Sequence, residues 1–92
     1  MNTILVVDDE ERIASITEKF LKINGFAVVK AVGGEEAIKI LSTDIVLDLI
    51  VLDMKMPKVN GLDVMRKKAE LGKNFPVLLL TGSIDAEKYV EV

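Results

Sequence analysis

The chain is expected to fold as an α/β domain: a doubly wound parallel sheet with helices on both faces. Three observations carry that expectation. Short apolar runs without alternation (Ile4-Leu5-Val6-Val7, Leu49-Ile50-Val51-Leu52 and Val77-Leu78-Leu79-Leu80) have the character of strands buried on both faces. The segments between them space their apolar residues at helical intervals. And the runs end on chemistry: Asp8-Asp9 closes the first, Asp53 the second and Thr81 the third.

Residues 3–7 read as the first strand. Over residues 10–24, Ile13, Ile16, Phe20 and Ile23 recur at spacings of three and four, with Leu21 beside them, so one helical face is expected there. Asn24-Gly25 stops that helix, because glycine readily takes the left-handed cap conformation. Phe26 to Lys30 is a second strand, Gly33-Gly34 a turn, and Glu35 to Ser42 a short helix turning Ala37, Ile38 and Leu41 inward. Leu49 to Asp53 is the third strand. Pro57 and Asn60-Gly61 mark a loop from Met54 to Gly61. Leu62 to Leu71 is a third helix with Gly72 past its end. Phe75-Pro76 leads into the fourth strand, and Asp85 to Val92 begins a fourth helix.

This alternation of strand and helix calls for a parallel sheet, and right-handed crossovers restrict its strand order to a few choices. The flavodoxin-like order 2-1-3-4 places the first and third strands side by side and the fourth next to the third. Neighbouring strands lie ~4.8 Å apart. Asp8, Asp9, Asp53 and Thr81 then line one crevice at the point where strand order reverses. The 92 residues suffice for one small domain, residues 1–92. A domain of that size buries ~60–65% of its unfolded surface.

Composition narrows the function. The net charge is −3, from 12 basic and 15 acidic residues, which argues against nucleic acid or an anionic membrane as the direct partner. There is no cysteine, so no disulfide, thiolate metal site or thiol nucleophile. There is no histidine, the usual general base and zinc ligand. The start carries no basic leader, and no apolar run has membrane-spanning length, so a cytoplasmic protein is expected.

Three clustered carboxylates repel one another, and burial raises their pKa values. A hard divalent cation removes the conflict. Mg2+ prefers oxygen ligands and keeps several waters, so a few carboxylates plus a phosphate satisfy it. A carboxylate also attacks phosphorus to form an acyl phosphate. Each residue taken singly has a plainer reading. Asp8 or Asp9 caps the first helix, Asp53 is a solvated turn residue, and Thr81 is a turn or cap. Their coincidence at matching strand ends favours the functional reading.

The combined pattern resembles the receiver domain of two-component response regulators. The matching residues are Ile4-Leu-Val-Val-Asp-Asp-Glu10, Gly34-Glu-Glu-Ala37, Asp48-Leu-Ile-Val-Leu-Asp53, Met56-Pro57, Asn60-Gly61 and Pro76-Val77 to Leu80-Thr81-Gly82. They run from Thr3 to about Asp85. The resemblance implies that Asp53 is the phosphoacceptor, charged by a sensor histidine kinase or a phosphotransfer protein. Asp8 and Asp9 would hold Mg2+ beside Asp53, one of them through water, with the backbone carbonyl of Lys55 as a further ligand. Thr81 would sense the phosphoryl group, and Pro57 and Gly61 would shape the loop after Asp53. The domain would be a switch rather than an enzyme, read by an output domain or target protein.

One departure stands out. Members of that family carry a fifth strand, a lysine at its end and a fifth helix, and the sequence reaches Val92 before any of these. Without a fifth strand, Val77–Leu80 becomes a sticky apolar edge, and a chain truly ending at Val92 is expected to form a homodimer through that edge, exchange elements with a second copy, or fold poorly. The alternative function is a receiver-like interaction module that is not phosphorylated. An aspartate-nucleophile phosphatase is disfavoured, because Lys55 stands where its second aspartate belongs.

Overall fold

The structure is a computed structural model that describes residues 2–54, 59–80 and 90–91. β1 (Thr3–Asp8), β2 (Ala27–Val32), β3 (Leu49–Asp53) and β4 (Val77–Leu80) run parallel in the order β2-β1-β3-β4. α1 (Glu11–Ile23), α2 (Gly34–Leu41) and α3 (Gly61–Glu70) make the connections between them.

Successive residues of β1 feed opposite faces of the sheet, and both faces are apolar. Leu5 and Val7 join one buried cluster with Ala37, Leu41, Ile50 and Val64. Ile4 and Val6 join a second with Ala14 and Val51. A strand buried on both sides has no polar face, which is why the run is continuous rather than alternating. The register pairs Ile4 with Leu49 and Val7 with Leu52, so Asp8 and Asp53 finish neighbouring strands at the same edge. Reciprocal bonds pin the far end. The Thr3 N–H donates to the Asp48 carboxylate at 2.8 Å, and the Asp48 N–H to the Thr3 carbonyl at 2.8 Å.

Two expectations are corrected. The first concerns α1. Ile16, Phe20 and Ile23 are 59%, 63% and 76% exposed, and Ile13 is at the margin of exposure. The residues that face the sheet are Ala14, fully buried, and Leu21. Small Ala14 lets the helix lie close, and Lys30 of β2 fastens its other flank by donating to the Ser15 hydroxyl at 3.0 Å. At about 100° per residue the exposed apolar stripe falls on the flank away from β2.

The second correction concerns the chain end. Val90–Glu91 is a strand, β5, and not helix; it pairs antiparallel with β4, Glu91 opposite Leu78 and Val90 opposite Leu79. The edge of β4 is therefore not bare. An apolar edge with unpaired amides recruits extended backbone, and two residues suffice to cover its middle. Residues 81–89, including Thr81 and the start of the expected helix, lie outside the described residues, as do Lys55 and Pro57.

α3 begins with a reciprocal cap. Asn60 accepts from the Asp63 N–H at 3.0 Å, and the Asp63 carboxylate accepts from the Asn60 N–H at 3.1 Å. Asn60→Ala should therefore lower stability by about 1 kcal/mol. The measurement is urea unfolding, with the midpoint falling at unchanged slope.

Candidate functional site

Asp8 is the last residue of β1 and Asp53 the last of β3, and both are buried, 8% and 9% exposed. Asp9, one residue on, is more open to solvent than either. One carboxylate oxygen from each lies within 4.8 Å of the others. Of the residues read from sequence as a site, the fold thus gathers Asp8, Asp9 and Asp53. Lys55 and Thr81 fall outside the described residues.

Neither Asp8 nor Asp9 caps α1. The N-cap is Glu10, whose side chain makes no capping bond. The Glu10 backbone N–H instead donates to the Asp8 carboxylate at 3.0 Å, which orients it. Burial is the main influence on Asp8 and raises its pKa above the ordinary value of 3.8; the bond from Glu10 opposes this, and the charges of Asp9 and Glu10 add to it. Asp8 is a carboxylate under electrostatic load, the condition a cation relieves.

The spacing fits a single small cation. Mg2+ holds oxygens at ~2.1 Å, so opposed ligands stand ~4.2 Å apart. Oxygens within 4.8 Å of one another close on such an ion with little movement, or with one carboxylate acting through water.

Two further contacts, which periodicity and motif spacing did not point to, frame the site. The Gly33 N–H donates to the Asp8 carbonyl at 3.0 Å, and the Met54 N–H to the Leu80 carbonyl at 2.8 Å. The first ties the start of α2 to the acid pair. The second ties the residue after Asp53 to the end of β4.

Taken together, a parallel α/β sheet in this order with an acidic cluster at its switch point is the architecture of a receiver module. Residues 4–92 match the family described as the response regulator receiver domain, and the chain belongs to that family. It is 38% identical over 81 residues to the response regulator SaeR of Staphylococcus aureus, a match covering 88% of this chain and 35% of the relative. A response regulator receiver domain protein from Clostridium thermocellum superposes with a TM-score of 0.84 at 33% identity, over 95% of this chain and 70% of that one. The response regulator TrrA from Thermotoga maritima, solved in complex with Mg(2+)-BeF, gives 0.79 at 36% identity, over 91% and 72%. The chain spans about a third of the length of the curated relatives it matches. It is a receiver domain of two-component signalling. Among the described residues, no helix is long and apolar enough to cross a membrane.

The raised pKa of Asp8 has a signed consequence. A carboxyl that binds its proton more tightly in the folded state costs stability when ionised, and that cost fades as pH falls through the raised value. Metal-free Asp8→Asn should therefore be more stable than wild type at pH 7, and the difference should shrink on acidification towards pH ~4. Parallel urea melts across that range check this; a constant difference would contradict it.

Proposed function

We propose that Asp53 is the phosphoacceptor of this receiver domain and that Asp8 and Asp9 hold Mg2+ beside it. The observation that carries the reading is the meeting of the three carboxylates, within 4.8 Å, at the ends of two paired strands. A carboxylate oxygen of Asp53 attacks the phosphorus of a phosphohistidine on a sensor kinase or phosphotransfer protein. The P–O bond forms as the P–N bond breaks. The electron pair goes to the imidazole nitrogen, and Asp53 becomes an acyl phosphate. Bound Mg2+ supplies neutralisation of the phosphoryl oxygens.

The chain's own residues do the rest. Glu10 holds the Asp8 carboxylate by its backbone N–H, and the β1–β3 register holds Asp53 against it. The Lys55 carbonyl would serve as a further metal ligand, and the Thr81 hydroxyl would sense the phosphoryl group. Phosphorylation then shifts the population of the surrounding loops, and the partner that reads them is an output domain or target protein.

Mg2+ titration should move the amides around Asp8, Asp9 and Asp53, and Asp9→Ala should weaken the binding. Incubation with acetyl phosphate and Mg2+ should add one phosphoryl group by mass spectrometry. Asp53→Asn should take up none. An adduct that persists in Asp53→Asn would refute the assignment.

A further inference from the structure

Two adjacent glycines open α2, and they are glycine for different reasons. Gly33 has φ +101°, a left-handed backbone with open space around it. Gly34 has no such backbone demand and is the first helical residue, where alanine would ordinarily be preferred. What it lacks is room. A Cβ there would collide with the carbonyl oxygen of Val59 and stand 2.7 and 2.9 Å from that residue's Cγ1 and Cβ. Side-chain tips yield to such pressure at small cost, but a backbone carbonyl moves only with its segment.

That segment is the one that leaves Asp53. Val59 lies just before α3, and at Gly61 the chain returns to rest on its own start: a Cβ there would be 2.9 Å from the Met54 Cα and 3.0 Å from the Asp53 carbonyl oxygen. On the other side, Gly33 donates to the Asp8 carbonyl at 3.0 Å. The Gly33-Gly34 step therefore touches both halves of the site. One residue is bonded to the backbone of Asp8, and the next is seated against the chain returning from Asp53.

We propose that Gly34 is a positioning residue for the acidic site. Its missing side chain lets Val59 lie against α2, and so fixes the spacing between the Asp8-Asp9 end and Gly61, which rests on Met54 and the Asp53 carbonyl. The inference rests on the reading of these aspartates as a Mg2+ site. An added methyl group at position 34 pushes Val59 outward and, two residues on, Gly61, which rests on the Asp53 carbonyl and the Met54 Cα, so the end of β3 shifts against Asp8 while the core is unchanged.

The test is Mg2+ half-saturation, followed by amide shifts, in wild type, Gly34→Ala, Val59→Gly and the double variant, with urea stability measured in parallel. Gly34→Ala should raise the half-saturating concentration by about tenfold, the scale of effect seen when groups supporting metal ligands are altered. Val59→Gly in the same chain removes two of the three close contacts and frees the local backbone, so the double variant should return towards the wild-type value. Gly72→Ala is the control. It strains a left-handed cap at φ +71° with open space around it, so it should cost stability and leave half-saturation unchanged. Equal half-saturation in wild type and Gly34→Ala would overturn the inference and leave the Mg2+ site standing. No Mg2+-dependent shifts near Asp8, Asp9 and Asp53 in wild type would overturn the site reading and this inference with it. If Gly34→Ala alone is unfolded, the double variant decides: folding with half-saturation near wild type supports the inference, and failure to fold or a half-saturation about tenfold higher overturns it.

Discussion

Three carboxylates lie within 4.8 Å of one another, where like charges repel. The pairing of β1 with β3 brings Asp8 and Asp53 to the same edge. Each strand is buried on both faces, and each is locked by apolar neighbours that have no alternative place to go. A slip of one residue would turn Leu5 and Val7 to the opposite face and carry Asp8 away from Asp53. The crossed bonds between Thr3 and Asp48 fix the same register at the far end of the strands. Free energy from the core is in this sense spent on holding charge in an unfavourable place. The raised pKa of Asp8 reflects burial first, with the charges of Asp9 and Glu10 adding to it.

The two faces of the sheet are covered unequally. One carries α2 and α3 over the larger cluster. On the other, among the described residues, α1 lies over the smaller one, with Leu78 and Leu80 only half-buried beside it. The site sits at the edge where the better-covered face ends. Its supports accordingly come from that side, through Gly33, Gly34 and the start of α3.

Much of this was legible in the sequence, for reasons that also explain what was not. The strands announced themselves because a doubly buried strand must be apolar at every position. Their ends announced the site because Asp8 and Asp53 break those runs abruptly. Periodicity located α1 but chose the wrong stripe. The spacing of Ile13, Ile16, Phe20 and Ile23 is as helical as that of Ala14 and Leu21, and only the crossover geometry decides which set meets the sheet. Gly34 and Gly61 read as turn residues, yet each begins a helix, chosen for closeness rather than for backbone freedom. The short strand at Val90–Glu91 was hidden because strand pairing belongs to the partner as much as to the segment.

The strand order also governs how quickly such a chain can find its structure. No two neighbouring strands of the parallel sheet are joined by a tight turn, and the bond between Thr3 and Asp48 closes a separation of 45 residues. Among the four parallel strands local hairpins are therefore unavailable as early steps, and β1 must wait in the collapsed chain for β3, a segment made much later in synthesis. Non-local pairing of this kind places the domain among the slower folders of its size. β1, buried on both faces, is thus left without its second neighbour until β3 is available.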